Sequence, residues 1–415
     1  MNSIPDYRCS RKKPHELGEM LTCLISGFTS GRTSVGRSLR WCENHLEELR
    51  KYIPLKAGIA SEATISRMLS GIDEEIFALT FMEWIAEILR EKGIHIIIDG
   101  KALRGGTEKI KDGNTPYVLN AIDAGTQLVL AQLCIDTKTN EITAIPQLLK
   151  QLDVEDNIFT IDAIGTQKKI EKQIVTGGGH FVLQVKKNNP ILYEEIITGF
   201  EAFENEKTAK KEEKCKELDK YIRQMDEYES TEKNRERIEY RNVKSCTDSS
   251  FLSCIKEGEI DYIKTVGVSK QIRVPIEKDT EGNDITVSKE EFMEKGSVRK
   301  SRVNVGDGIK DDIQIVGLIS DMELKAECLA RYKREHWKIE NNLHHVLDDA
   351  FREDRSTATR GKNNLAVIRK YAYNILKLYA LKENKNWGIQ QLMDYFADHV
   401  ELTMKYLYEE IESFY

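Results

Sequence analysis

The sequence predicts an α/β protein in which a small all-α segment precedes a mixed core. Three observations carry this. Residues up to about 90 keep apolar side chains at helical spacing. Two short apolar runs, 94–99 and 157–162, each close on an aspartate, with strand-like and helical stretches between them. A helical stretch near residue 340 carries a glutamate between two histidines.

The 415 residues are enough for two or three domains with a substantial core. A hydrophobic fraction of 40% with 32% charged residues excludes a disordered or membrane-embedded chain. No apolar run reaches the roughly 18 residues of a transmembrane helix, and residues 1–7 lack a secretory pattern. Eight cysteines stand singly with no CxxC pair, which predicts free thiols in a reducing cytoplasm. The net charge of -7 gives no overall signal for a polyanion. Locally, residues 351–370 hold six basic side chains against Glu353 and Asp354.

In chain order, helical spacing covers residues 16–28, 40–52, 61–69 and 73–89. Residues 58–67 fit the turn and second helix of a helix-turn-helix, with Thr64, Ser66 and Arg67 facing a groove. A plain helical domain with a polar surface fits the same pattern. Strands are expected at 94–99, 117–124, 128–135, 157–162 and 180–185. Helices are expected at 143–152, with Pro146 in the first turn, and at 166–175. This β-β-β-α-β-α-β order is that of the ribonuclease H-like fold. The glycines at 177–179 read as a helix stop, and no GxxxxGK[ST] loop occurs. Residues 200–237 mix Glu and Lys as a solvated helix or arm does. Strand-like pieces follow at 237–243, 262–268 and 313–319, with a turn at 279–283. The expected organisation is a helical domain at 1–90 and a catalytic domain at 91–200 and 310–382. A strand-rich insertion at 201–309 interrupts the latter, and a helical tail occupies 383–415.

Chemistry centres on residues 334–344, read as part of one long helix. Trp337, Ile339, Leu343, Val346 and Leu347 supply its apolar turns, and Glu340 has His336 and His344 one turn to either side. A carboxylate there is costly to bury unless a cation meets it. A divalent metal, held from its other side by Asp99 and Asp162, would meet it. Such an oxygen cage suits Mg²⁺ or Mn²⁺. Two ions about 3.5–4 Å apart, with Asp99 bridging and Asp162 and Glu340 completing one each, would serve phosphodiester chemistry. Plainer readings stand beside this. Aspartates at strand ends often cap turns, and Glu340 could pair with Lys333 or Arg334 along the helix. A zinc site of His336, Glu340 and His344 lacks the HExxH spacing, and the paired ExxH of a di-iron site is absent.

Several motifs together resemble the DDE-type bacterial insertion-sequence transposases, specifically the H-repeat-associated family. They are Ile98-Asp99-Gly100-Lys101-Ala102-Leu103-Arg104-Gly105, Lys138-Thr139-Asn140-Glu141-Ile142-Thr143-Ala144-Ile145-Pro146 and Thr160-Ile161-Asp162-Ala163 with Gly165-Thr166-Gln167-Lys168. His336-Trp337-Lys338-Ile339-Glu340-Asn341 and Phe351-Arg352-Glu353-Asp354-Arg355 complete the set. The resemblance runs from about residue 10 to 382. It implies a ribonuclease H-like core, a Mg²⁺-dependent triad of Asp99, Asp162 and Glu340, and cutting and joining of element-end and target DNA. Lys333, His336 and Leu347 stand where related transposases often have tyrosine, arginine and lysine. His345 replaces a usual tryptophan, and Arg235-Glu236-Arg237 replaces a His-Gly-Arg step.

Around the triad, Lys101, Arg104, Lys186, Lys187, Arg334, His336, Arg355 and Arg360 would grip phosphates without reading sequence, unless they are simply solvated surface. The expected protein is a two-metal DNA transposase, a homodimer when two ends are synapsed. A catalytically silent DNA-binding descendant and a stand-alone nuclease of the same fold are the rivals.

Overall fold

The computed structural model describes residues 4–8, 14–89, 92–103, 116–135, 141–208, 216–233, 237–256, 260–278, 284–285, 313–356 and 360–408. Arg104, residues 138–140, Arg235, Glu236 and the turn at 279–283 lie outside these. The chain packs as two compact bodies, Met1–Ile158 with Glu335–Tyr415, and Phe159–Arg334. No helix among the described residues is long and apolar enough to cross a membrane.

The first body opens with α1 (Leu17–Thr29), α2 (Val35–Asn44), α3 (Leu46–Leu49), α4 (Glu62–Gly71) and α5 (Glu74–Ile88). Small polar side chains start three of these helices by accepting from otherwise unpaired backbone N–H groups. Ser34 accepts from Arg37, Ser61 from Thr64, and Asp73 from Glu75 and Ile76. Next come β1 (His95–Ala102), β2 (Tyr117–Asp123), β3 (Val129–Ile135) and α6 (Glu141–Leu149). The strands lie in the order β3-β2-β1 with antiparallel pairing, and Asp99 stands opposite Asn120. Pro146 falls in the second turn of α6, not its first, so the Ile142 carbonyl loses its helical partner.

β4 (Ile158–Ile161) leads into the second body. There follow α7 (Lys168–Thr176), β5 (His180–Val185), α8 (Pro190–Thr208), α9 (Lys216–Ile222), β6 (Met225–Lys233) and β7 (Arg237–Cys246). Then come β8 (Thr265–Pro275), β9 (Glu277–Lys278), β10 (Asp284–Ile285) and β11 (Ile313–Ser320). From β5 the order is β5-β11-β8-β7-β6, each pair antiparallel. Asp321 pins the β5–β11 edge by accepting from the Phe181 N–H and from His180 Nδ1, both at 2.7 Å. β6 falls in the stretch expected to be a charged helix or arm. Its side chains are charged on both faces, as suits an edge strand that must refuse further pairing, and this hides the period of two.

α10 (Ala326–His336) returns the chain to the first body, which closes with α11 (His345–Asp349), α12 (Lys362–Lys382), α13 (Ile389–Ala397) and α14 (Val400–Tyr408). α12 is buried nearly all round and acts as the spine. Its Tyr371 packs on Phe81 and Trp84 of α5. Asn364 donates to the Leu69 and Ile72 carbonyls at the end of α4, at 2.8 and 3.0 Å. Asn374 pairs with both the N–H and the carbonyl of Val129, at 2.9 and 2.8 Å.

A buried charge cluster joins β1 to the segment ahead of α12. Lys101 donates to Asp348 at 2.5 Å, to Glu353 at 3.0 Å and to the His344 carbonyl at 3.3 Å. Arg369 approaches Glu353 at 3.7 Å. Burial alone would raise the Glu353 carboxyl, but Lys101, Lys370 and Arg369 outweigh it and bring the group down to about 2. Lys370 is pushed down to about 8 by burial. Removing the carboxylate strands these cations, so Glu353→Ala should cost about 3–5 kcal/mol in denaturant unfolding. A depressed acid stabilises above its unfolded value and less as pH falls through its folded one. The Glu353 contribution is therefore whole above about 4.5 and lost toward about 2. Melting curves across that window should fall more steeply for wild type than for Glu353→Ala; parallel slopes would remove Glu353 as the source.

Candidate metal centre

After His95, β1 carries three buried isoleucines, Ile96, Ile97 and Ile98, which fix the strand in the core. The strand does not end at Asp99 but continues to Ala102. Alternation puts Asp99 and Lys101 on the same face. Lys101 is tied into the charge cluster just described, and Asp99 stays partly open.

The stretch around Glu340 is not one regular helix. α10 stops at His336, Glu340–His344 winds as a π-helical turn, and α11 resumes at His345. Trp337, expected among the apolar turns, is 46% exposed, while Ile339, Leu343 and Leu347 are buried. Wider winding of this kind is often found at functional sites. Glu340 projects outward, and its carboxylate accepts from His344 Nδ1 at 3.0 Å. That hydrogen bond is the main reason its carboxyl is held below the ordinary range, with Lys101 adding to it.

His344 is buried, with Nδ1 3.8 Å from Asp99 Oδ2 and Nε2 3.3 Å from the Asn120 side-chain nitrogen. With the Asn120 amide donating to Nε2, the ring keeps its proton on Nδ1 and gives it to Glu340. Asp99, Glu340 and His344 offer ligand atoms within 4.8 Å of one another. Two carboxylates suit a hard divalent cation, and the imidazole is a borderline donor that Mn²⁺ accepts more readily than Mg²⁺. In its Nδ1–H form His344 holds Glu340 in place instead of ligating, the arrangement by which outer groups orient metal-binding carboxylates.

Asp162 belongs to the second body. It follows β4 and opens a short 3₁₀ turn, Ala163–Gly165, without capping it. Its carboxylate accepts from Lys186 at 2.7 Å. The capping alternative for this aspartate is therefore not realised. Nor does Glu340 pair along the helix as the plainer reading had it: Arg334 pairs with Glu232, and Lys333 donates to Ser269 at 2.8 Å. Lys333 is buried and is pushed down to about 7, first by burial and then by Lys186, Arg241 and Arg273.

Among the cations expected to grip phosphates, Lys187, Arg355 and Arg360 are exposed. Lys101 and His336 are buried, and the Lys101 ammonium is already spent on two carboxylates. Thr64 spends its hydroxyl on Ser61 and Arg67, while Arg67 itself is exposed. Two members of the centre went unassigned in the sequence. His344 was visible one turn beyond Glu340, but only as part of a zinc alternative. Asn120 depends on cross-strand register, which no local pattern reveals.

Comparison with known proteins identifies the family of the chain. Residues 1–85 match the family described as DDE_Tnp_1-associated, and residues 90–375 match that described as Transposase DDE domain. The chain is similar to YbfL of Escherichia coli K12, 31% identical over 90% of this chain and 88% of that one. It is similar also to the H repeat-associated protein YhhI of the same strain, 30% identical with the same coverage. YncI of Escherichia coli O157:H7 is 30% identical over 90% of this chain and 85% of that one. Among solved structures, a piggyBac transposase synaptic complex with hairpin DNA gives a TM-score of 0.39 at 10% identity, over 98% of this chain and 77% of that one. Agreement that low decides neither fold nor activity. The family match over most of the length, together with relatives spanned nearly end to end, makes this chain a member of the H repeat-associated group of DDE transposases.

Proposed function

We propose that this chain is a DNA transposase with a ribonuclease H-like layout, which cuts and joins phosphodiester bonds at insertion-sequence ends. Asp99, Asp162 and Glu340 are its metal-holding carboxylates. One observation carries the reading: within the span of the DDE family match, residues far apart in sequence, Asp99 and Glu340, gather with His344 inside 4.8 Å. The antiparallel β1–β3 ladder followed by α6 supports the layout.

The DDE family implies divalent metal use, and we assign two Mg²⁺ ions, with Mn²⁺ as a substitute. When bound, such ions activate an attacking oxygen and stabilise a leaving one. The chain's own residues prepare for this. Asp99 is held rigid in a paired strand, and Glu340 is aimed by the Nδ1 proton of His344. Lys186 balances the charge of Asp162. Exposed Lys187, Arg355 and Arg360 are placed to hold phosphates. A 3′-hydroxyl freed by hydrolysis at the element end then attacks a target phosphodiester in line, joining to its phosphorus as the target strand's own 3′-oxygen leaves. Joining two ends calls for a dimer on DNA.

Asp99→Asn, Asp162→Asn and Glu340→Gln should each abolish Mg²⁺-dependent cleavage of a duplex carrying the DNA that flanks the gene, with duplex binding retained. Cleavage at the wild-type rate by any of the three would remove that residue from the triad. Should wild type bind but never cut with either metal, the catalytically silent reading replaces this one. His344→Ala leaves the carboxylates but not their positioning. It should lower apparent metal affinity about 10–100-fold, with activity partly restored at high metal. An unchanged metal titration would make His344 merely a packing residue.

A further inference from the structure

A cavity of about 450 Å³ opens in the first body and is lined by none of Asp99, Glu340 and His344. Five arginines line it: Arg37, Arg352, Arg355, Arg360 and Arg369. Arg37 comes from the stretch matched by the DDE-associated family, the other four from the stretch after the π turn.

Guanidinium groups crowded into one cavity repel each other unless anions intervene. Arg37, Arg352, Arg355 and Arg360 make no ion pair with a carboxylate among the described residues. Arg369 reaches Glu353 only at 3.7 Å, and its buried Nε has no hydrogen-bond partner. The N-terminus of α2 faces the same space through Ser34, with no acidic residue in its first turn to offset the helix dipole. One internal anion does approach. Glu62, which also lines the cavity, lies so close to Gly36 that a Cβ there would stand 2.8 Å from its carboxylate. The chain thus sets its own carboxylate against a helix start where a stronger anion would be favoured.

Planar, permanently charged forks match phosphate oxygens in pairs. Arg37, Arg352, Arg355 and Arg360 are exposed at the rim, which suits a polyanion running across the cavity better than an enclosed small molecule. We propose that this cavity binds a phosphodiester stretch of DNA backbone and that Glu62 is the placeholder it displaces. The proposal rests on the transposase reading and extends it: Arg355 and Arg360, already assigned to phosphate there, act with Arg37 in this cavity, so that one duplex is held by both family-matched regions.

The test is equilibrium binding of the full-length chain to a fluorescent random-sequence duplex across a salt series. Two lost phosphate contacts should make the slope of log affinity against log salt shallower by about 1.8 in Arg37→Gln/Arg355→Gln. Glu62→Gln should bind more tightly than wild type. Both arginines are exposed, so an unchanged melting curve checks that folding is intact. Wild-type affinity and slope in the double variant overturn the proposal, as does a wild-type chain with no duplex affinity. Loss of inorganic phosphate binding with duplex binding untouched would make the cavity a small-anion site and overturns it too. Cleavage is read separately. A cavity that fails in a chain that still cuts leaves the triad standing, and a chain that binds through the cavity but never cuts leaves the cavity standing.

Discussion

The arrangement depends on one ammonium group. Lys101 reaches from β1 to Asp348, Glu353 and the His344 carbonyl, so a single side chain fastens the strand to both ends of the segment that follows Glu340. Asp99 lies two residues earlier on the same face, and its position opposite His344 follows from that fastening. The cluster is costly to desolvate, and Lys101 meets two carboxylates while Glu353 Oε1 and Arg369 Nε make no hydrogen bond among the described residues; specificity of register is what a buried pair best provides. Lys101 is thus structural reinforcement for the acid beside it.

This accounts for the division of roles around the carboxylates. Glu340 is open to solvent on a wide turn, while the histidine that aims it is buried and held from behind by Asn120. An exposed carboxylate with a buried guide can meet a ligand without losing its direction. Asp162 keeps company with Lys186 instead, so its charge is balanced by a flexible cation and not by a rigid donor.

Much of the fold was legible from local pattern. The isoleucine run before Asp99 and the apolar run before Asp162 read as strands because burial on both faces leaves no polar alternation to confuse them. Asp99 and Glu340 stood out for their settings, and the family resemblance agreed. What escaped notice was set by tertiary pairing. β1 runs on through Gly100, Lys101 and Ala102 because a ladder with β2 and a buried ion cluster support residues that look like a loop. β6 carries charges on both faces and so shows no period. The partners of Lys101 lie about 250 residues downstream, beyond the reach of any spacing argument.

The π turn at Glu340–His344 has a further consequence, for length. One extra residue in a turn rotates everything after it by roughly 100° relative to an unbroken α-helix. Wound as regular α-helix, the same residues would carry α11 and its Asp348 round by that angle, away from Lys101. Relative to a regular helix one residue shorter the direction is unchanged, so deleting one of 341–343 should keep Asp348 on its cation, whereas a further insertion should swing it away. This stretch should accept changes of identity and the loss of one residue more readily than a gain, and insertions among its natural relatives should avoid it.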